Sequence, residues 1–270
     1  MLSIAYRMVG SYSEAEDLVQ EAFLRLHQED AVDNPRAWLT TVTTRLAIDH
    51  LRSARVRREQ YPGTWLPEPV LADPMPDAAV RAESLSMAVL VLLESLTPVE
   101  RAVFVLREAF DYGYAEIAEI VGKSEDNCRQ LATRARRHVE ERKPRFEPSR
   151  EQRDELTRRF VAALREGETE PLVELLAADV EFSGDGGGKA PALGRVITGA
   201  GAVARVLAGF GRVARRRRAW AEPAEVNGGP GLLAYEDGRL IAVWAFEVSD
   251  GVIHAIRGVV NPDKLRHLAG

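Results

Sequence analysis

Arginine side chains that could hold phosphate are clustered at three places in this 270-residue sequence. Guanidinium groups bind phosphate through paired, charge-assisted hydrogen bonds. The clusters are four arginines within residues 52–58, seven basic residues within residues 129–145, and four consecutive arginines at residues 215–218. The net charge of −5 taken alone argues against a nucleic-acid partner, because DNA-binding chains are usually basic overall. The placement of the arginines is therefore more informative than the total charge.

Carboxylates and a histidine in the last third of the chain could act as general acids or bases, but no pair has a spacing that specifies a reaction. These residues are Asp179, Glu181, Asp185, Glu247 and His254. The glycine-rich segment at residues 185–189 lacks the spacing of a phosphate-binding loop. Cys128 is the single cysteine, which excludes an internal disulfide and a cysteine metal cluster, and we interpret it as a packing residue. The sequence predicts no catalytic residue, no metal and no cofactor.

The length suits two or three compact units, and the composition, 46% hydrophobic and 29% charged, is that of a folded chain. No apolar run reaches the roughly 18 residues that a membrane-spanning helix needs. The first residues show neither a basic start nor a cleavage site, so no signal peptide is apparent. We expect a cytoplasmic protein without a membrane partner.

Helices are predicted over residues 1–60. Ser13 is the expected N-cap of a helix whose first turn carries carboxylates, and Phe23 is among its inward residues. Asn34 and Pro35 mark the start of a second helix that runs from about residue 36 to residue 58, with Trp38 inward.

The segment at residues 61–77 is a linker by composition, since it holds five prolines and a glycine. It also carries Trp65, Leu66, Val70 and Leu71, which a solvated spacer would not need. We expect this linker to pack against another part of the protein.

Residues 78–143 are again predicted to be helical. Thr97 and Glu100 have the spacing of a capping box around Pro98. A helix at residues 114–121, a turn at Gly122 and a helix capped by Ser124 follow the helix-turn-helix pattern. The apolar contact between these two helices is expected from Ala118, Val121, Cys128 and Leu131.

The pattern changes after a second break near residue 146. Helices at residues 150–166 and 170–177, and a small-residue helix at residues 199–210, accompany strand-like runs at residues 180–183, 217–226, 231–235, 240–248 and 252–260. This order predicts an α+β cone, in which a bent antiparallel sheet packs on helices.

Residues 15–27, 34–58 and 96–139 resemble regions 2 and 4 of sigma-70-family RNA polymerase sigma factors of the extracytoplasmic-function (ECF) group. Three further segments, WLPEP (65–69), DGGGK (185–189) and NPDKL (261–265), resemble the subgroup with a fused C-terminal SnoaL-like domain. The resemblance implies a multi-domain chain. Its parts are all-α region 2 (1–61), a Pro-rich linker (62–83), all-α region 4 with its helix-turn-helix (84–143), and an α+β SnoaL-like regulatory domain (149–270).

The resemblance also implies the functional residues. Polymerase contacts are expected from Glu14, Glu16, Asp17, Gln20, Glu21 and Arg25. Contacts with the −10 promoter element are expected from Asn34, Arg36, Arg45, Asp49, His50, Arg52, Arg55 and Arg58. Contacts with the −35 element are expected from Glu125, Asn127, Arg129, Gln130, Thr133, Arg134, Arg136 and Arg137, of which the last three suit phosphate best.

Regulation is expected between the linker and the C-terminal domain. The residues implied are Trp65, Leu66, Pro67, Glu68, Pro69, Asp185, Gly186, Gly187, Gly188, Lys189, Asn261, Pro262, Asp263, Lys264 and Leu265. Within this hypothesis Lys189 pairs with Glu68 or Asp73, and Lys264 pairs with an acidic residue of region 2.

The implied partners are core RNA polymerase, through its beta-prime clamp and beta flap, and promoter DNA. The domain would act in cis without a separate anti-sigma factor, and the chain would not be an enzyme. Two alternatives stay open at this point: a SnoaL-like enzyme or small-molecule sensor fused to a DNA-binding module, and a response regulator with the same helix-turn-helix.

Overall fold

A computed structural model describes residues 1–71, 86–141 and 149–268, without the side chains of residues 55–59. The chain divides into two compact units, which are described separately. The first consists of Met1–Gln60 and Met75–Lys143, and the second of Tyr61–Pro74 and Pro144–Gly270. The first part of the linker therefore belongs to the C-terminal unit.

The first unit begins with three packed helices: α1 (Leu2–Val9), α2 (Tyr12–Gln28) and α3 (Pro35–Glu59). The predicted N-cap of α2 was wrong by two residues. The side chain of Ser11, not Ser13, accepts a hydrogen bond from the Glu14 amide at 3.2 Å. The Asn34 side chain caps α3 by accepting from the Ala37 amide at 3.1 Å, as expected for an Asn before a helix-initiating Pro.

Four more helices complete this unit: α4 (Met87–Leu93), α5 (Pro98–Phe104, continued by a π-helical turn at Val105–Ala109), α6 (Tyr114–Val121) and α7 (Glu125–Glu140). The predicted capping box at Thr97 and the Ser124 cap of α7 are both confirmed. Gly122 ends α6 in the left-handed conformation, with φ 66°, which favours glycine.

The packing between α6 and α7 differs from the prediction. The buried residues are Ile117, Ile120, Cys128 and Ala132, whereas Ala118, Val121 and Leu131 are only half-buried. The helical spacing of the predicted contact residues was correct, but on α6 the buried face lies one residue earlier than predicted. A helix this short carries two neighbouring apolar faces, and its sequence does not show which of them is buried.

The second unit combines helices α8 (Arg150–Glu166), α9 (Thr169–Val173) and α10 (Ala200–Arg217) with a six-stranded sheet. The strands are β1 (Leu176–Asp185), β2 (Ile197–Thr198), β3 (Trp220–Val226), β4 (Gly229–Glu236), β5 (Arg239–Ser249) and β6 (Val252–Val259), in the order β2-β1-β6-β5-β4-β3. Helix α11 (Pro262–Leu265) and a 3₁₀ turn (Arg266–Leu268) follow.

The α+β class is confirmed, with three local differences. The sheet is antiparallel except that β1 pairs parallel with β6. Helix α10 runs to Arg217, so the predicted strand at residues 217–226 begins only at Trp220. Helix α9 ends at Val173, and residues predicted as its last turn belong to β1.

Aromatic side chains fill the space between the helices and the concave face of this sheet. The Phe160 ring lies 4.9 Å from Phe246, and the Trp244 ring lies 5.5 Å from Phe182 and 6.0 Å from Phe210. Edge-to-face packing of this kind adds to the burial of large apolar surfaces. The interior of the cone is therefore an apolar core.

Among the described helices, none combines the length and the hydropathy that crossing a membrane would require.

Candidate functional site

Helix α7 presents a polar surface beyond its buried stripe. Asn127, Arg129, Gln130, Thr133, Arg134, Arg136 and Arg137 are all exposed, whereas Glu125 is half-buried and pairs with Arg129. The Arg129 guanidinium also lies 4.7 Å from the centre of the Tyr114 ring. The first turns of α7 thus expose two side-chain amides and a guanidinium, which are groups able to hydrogen-bond to base edges.

Two arginines farther along α7 pair with glutamates of α5 and of its π-helical continuation. Arg134 contacts Glu100 at 2.6 Å, and Arg136 contacts Glu108 at 2.6 Å. Burial would raise the pKa of Glu100, but the hydrogen bonds from Thr97 and the contact with Arg134 together hold that pKa below its usual range. Because these pairs are exposed at their arginine ends, they contribute little to stability.

Helix α3 carries the residues expected at the −10 element, and several of them are engaged in the structure. Arg45 donates hydrogen bonds to the carbonyls of Ile120 (2.9 Å) and Glu119 (3.0 Å), at the C-terminal end of α6. His50 lies 3.1 Å from Glu14, and Arg52 pairs with Asp49 at 2.8 Å. Arg36 is exposed, and the side chains of Arg55 and Arg58 lie outside the described residues.

A pair of buried arginines joins α1 to α5. Arg101 donates from Nε to the carbonyl of Arg7 at 3.1 Å and contacts Glu94 through Nη1. Burial lowers the pKa of Arg101 to about 9. Its Nη2 is buried without a hydrogen-bond partner among the described residues. This α1–α5 contact therefore holds a cation at a substantial desolvation cost.

Helix α2 shows the acidic face that was expected to contact polymerase. Glu16, Asp17 and Gln20 are exposed, and Glu21 pairs with Arg25 at 2.7 Å. The structure adds two residues that sequence reasoning missed. Phe23 and Leu24 are 51% and 60% exposed, although Phe23 was predicted to point inward. Exposed large apolar side chains next to charges are typical of a protein-binding surface.

The linker meets the C-terminal domain at a buried carboxylate. Asp185, fully buried at the end of β1, accepts hydrogen bonds from the Leu66 amide at 2.8 Å and from the Tyr61 hydroxyl at 2.6 Å. The Lys264 ammonium contacts the same carboxylate at 2.7 Å. We call Tyr61, Trp65, Leu66, Asp185, Asn261 and Lys264 the linker site.

Lys264 contacts several other residues of the linker site. Its ammonium also donates to the Leu66 carbonyl and lies 4.1 Å from the centre of the Trp65 ring. Burial and the hydrogen bond to Asp185 raise the pKa of Tyr61, so this hydroxyl stays a donor. Buried charges are stable only when paired and hydrogen-bonded in this way.

The glycines at residues 186–188 allow the close approach of linker and tail. Gly187 has φ 58°, and a Cβ there would collide with the Asn261 amide, which donates to the Tyr61 hydroxyl at 2.9 Å. Gly188 has φ 70°, and a Cβ there would meet Pro62. Both the backbone conformation and the lack of a side chain are needed here.

The linker is fixed again farther along. The Asn227 amide donates to the Val70 carbonyl at 2.8 Å, and the Val70 amide donates to the Asn227 side chain at 3.2 Å. His267 lies 2.8 Å from the Pro69 carbonyl and 3.9 Å from Glu68, which is buried. The sequence did not predict Tyr61, Asn227 and His267 as residues that hold the linker. Of the three, only Tyr61 could have been suspected, because it is a tyrosine at the start of the Pro-rich segment.

Two families match the helical part of the chain: Sigma-70 region 2 over residues 1–57, and Sigma-70 region 4 over residues 86–139. The ECF RNA polymerase sigma factor SigJ of Mycobacterium tuberculosis is 41% identical, over 98% of this chain and 89% of SigJ. This chain belongs to the ECF sigma factors.

Further comparisons extend the likeness over the C-terminal domain. The probable ECF sigma factor SigI of Mycobacterium tuberculosis is 34% identical, over 98% of this chain and 91% of SigI. The crystal structure of SigJ has a TM-score of 0.78 and 38% identity, and covers 98% of this chain and 94% of its own. The likeness of this ECF sigma factor to SigJ and SigI therefore extends over both the helical regions and the α+β domain.

Two lysines of the ECF sigma factor pair with carboxylates other than the expected ones. Lys189 pairs with Asp263 of the tail, not with Glu68, and Asp73 lies outside the described residues. Lys264 pairs with Asp185 of its own domain, not with an acidic residue of region 2. Both observed pairs have one cause: β1 and β6 are adjacent, which brings the tail to the glycine-rich segment.

The acid–base candidates of the C-terminal domain do not converge. Asp179 and Glu181 are exposed, Glu247 pairs with Arg257, and Asp185 is occupied by the linker. In the described ranges no group of three or more His, Cys, Asp or Glu could hold a metal ion. Cys128 is buried, and burial raises the pKa of its thiol, which agrees with a packing role.

Proposed function

We propose that this sigma factor binds the −35 element through the first turns of α7 and the −10 element through α3. The exposed Asn127 and Gln130 amides and the Arg129 guanidinium support the first assignment. Each good bidentate contact with a base contributes roughly 1–3 kcal/mol of discrimination. Arg134, Arg136 and Arg137, farther along the helix, suit the phosphates on either side.

The α3 residues bind DNA only after the contacts between α3 and region 4 have been released. Arg45 holds the end of α6 through two carbonyls, and the Thr40 hydroxyl lies 3.1 Å from that of Tyr112. Promoter binding at two separate elements exchanges these contacts for contacts with DNA. Docking on polymerase uses the acidic face of α2 together with Phe23 and Leu24, which are exposed beside it.

The C-terminal domain controls initiation in cis by holding the linker. One observation carries this proposal: the buried Asp185 carboxylate is satisfied by the linker's Leu66 amide and Tyr61 hydroxyl and by the tail's Lys264. A linker fixed along residues 61–71 cannot extend. Each freed residue would add up to about 3.5 Å of reach between regions 2 and 4. The domain thus acts as a binding module, and no separate anti-sigma factor is required.

A reconstituted transcription assay tests the control. It contains core RNA polymerase, a promoter fragment and the full-length sigma factor, with no other protein. Asp185→Asn removes the charge that holds Lys264, and we expect more run-off transcript because the linker is released. Glu181→Gln is the matched control, since it removes one charge from an exposed position of the same strand. Equal transcription by both variants and the unmodified protein would contradict the proposal.

The base contacts are tested separately. Asn127→Ala and Gln130→Ala are expected to weaken promoter binding and to relax specificity at single positions of the −35 element. Glu140→Ala, at the far end of α7, should change neither. Unchanged base preference in both amide variants would assign recognition to other residues.

A further inference from the structure

Four arginines at the C-terminal end of α10 form a cluster that no contact described so far uses. Arg215, Arg216, Arg217 and Arg218 are all exposed. Residues 200–221 contain six arginines and no acidic residue. Arg217 approaches Glu236 at 3.9 Å, and the other three make no ion pair with the residues that the structure describes. We call Arg215 to Arg218 the arginine cluster.

The helix itself accounts for only part of this charge. The dipole of an α-helix is equivalent to about half a negative elementary charge at the C-terminal end. One cation in the last turn offsets that charge, and Glu236 offsets one more arginine. Arg212 already serves a packing role, since it donates to the Gly167 carbonyl at 3.0 Å. The arginine cluster therefore holds more positive charge than folding requires.

Arg218 gives an independent indication. It ends α10 in the left-handed conformation, with φ 56° and ψ 26°. Glycine adopts this conformation most readily, and Asn or Asp adopts it more readily than other residues. Throughout the described ranges every other residue with positive φ is Gly, Asp or Asn. The arginine side chain is thus present at a position where glycine would suit the backbone better.

An aromatic surface lies directly after the cluster. Trp220 stacks on Tyr235 across β3 and β4, with ring centres 4.5 Å apart, and remains 51% exposed. Exposed aromatic rings next to arginines are typical of nucleic-acid contacts, because the rings pack on sugars or bases while guanidinium groups hold phosphates.

We propose that the arginine cluster of the C-terminal domain binds the phosphate backbone of promoter DNA. This inference goes beyond the control of the linker and rests on the chain acting at promoters. It gives the sigma factor a DNA contact outside regions 2 and 4, which is independent of sequence and depends on salt. The C-terminal domain would then take part in promoter binding and would not only restrain it.

Salt dependence of promoter binding tests the proposal. Holoenzyme made with full-length protein is titrated onto a fluorescent promoter fragment at several KCl concentrations. The test variant carries Arg215→Ala, Arg216→Ala and Arg218→Gly. Each lost phosphate contact reduces the slope of log K against log salt by about 0.9. We expect a slope smaller by roughly 2 to 3, and weaker binding at every salt concentration.

A matched control separates local contact from total charge. Arg158→Ala, Arg159→Ala and Arg195→Ala remove the same charge from exposed positions elsewhere in the domain. This control should keep the slope of the unmodified protein. An equal reduction in both triple variants would overturn the proposal, since only net charge would then matter.

A second readout separates this inference from the function of the chain as a sigma factor. Core binding and run-off transcription at low salt should be preserved in the test variant. An unchanged slope with weaker core binding would overturn the proposal and assign the cluster to an acidic polymerase surface. Arg218→Gly alone should keep or raise the thermal midpoint while it weakens DNA binding, which a purely structural arginine would not do.

Discussion

Two contacts of this protein contain buried charges, and they differ in how completely those charges are hydrogen-bonded. The linker site joins the linker to the C-terminal domain, and there Asp185 and Lys264 meet each other, the backbone of Leu66 and two aromatic rings. The α1–α5 contact joins region 2 to region 4 through Arg101, whose Nη2 lacks a hydrogen-bond partner in the described part of the chain. A buried charge is stable when its hydrogen bonds are complete and costly when they are not.

This difference suggests that the linker site is the lasting contact and that the α1–α5 contact is the one given up on promoter binding. In the function proposed above, regions 2 and 4 separate to bind two promoter elements, and a contact with an incompletely satisfied cation would favour that opening. The linker site is complete, so it persists unless a partner competes for it.

The largest expected effect is at the linker site. Asp185→Asn leaves the Lys264 ammonium buried without its carboxylate, and we expect a loss of about 3–5 kcal/mol in the free energy of unfolding of the second unit. Urea denaturation followed by tryptophan fluorescence measures it, since Trp65, Trp220 and Trp244 belong to this unit. The double variant with Lys264→Met should recover much of the loss. A double variant as unstable as Asp185→Asn would show that the unpaired ammonium is not the cause.

Substitution of glycines tests the close packing at the linker site. Gly187→Ala adds a collision with Asn261 to an unfavourable positive φ, and we expect a loss of about 3 kcal/mol. Gly63→Ala, in the linker, also has positive φ but an added Cβ meets nothing within 4 Å, so about 1 kcal/mol is expected. Hydrogen exchange of residues 61–71 reports the release of the linker. Equal exchange in the two variants would argue against close packing at Gly187.

A smaller effect is expected at the α1–α5 contact. Glu94→Gln removes the carboxylate that Arg101 contacts, and we expect a loss of about 1–3 kcal/mol in the first unit, because Glu94 is partly exposed. Arg101→Met together with Glu94→Leu should be neutral or stabilising, because it removes the buried cation. Thermal midpoints and hydrogen exchange of α1 measure both. A strongly destabilised double variant would mean that Arg101 is needed for the contact.

The smallest effect is expected at the tail. Lys189→Glu breaks the pair with Asp263, but the lysine side chain is 55% exposed, so the change in stability should stay at or below about 1 kcal/mol. Stability is measured as for Asp185→Asn, and transcription should change less than in that variant. A loss as large as that of Asp185→Asn would show that the Lys189 pair, and not the buried carboxylate, holds the linker.

The sequence predicted the local signals well and the pairings poorly. Thr97 and Ser124 cap their helices as expected, because a cap depends on residues three positions apart. Phe23 was placed inward because its spacing fits an apolar stripe, yet which stripe is covered depends on the neighbouring helices. The contacts of Lys189 with Asp263 and of Lys264 with Asp185 were not predicted, because both lysines are far in sequence from these partners.

The apolar character of the linker by itself determined that it must pack on something, because Trp65, Leu66 and Val70 would otherwise be exposed to water. Only the tertiary structure decided where. The parallel pairing of β1 with β6 sets Asp185 beside Val259, and the amides of Val260 and Asn261 donate to its carbonyl. That register places the tail, and with it Lys264, next to a carboxylate 79 residues away in sequence. A parallel strand pair joins distant segments through backbone hydrogen bonds that no local pattern encodes.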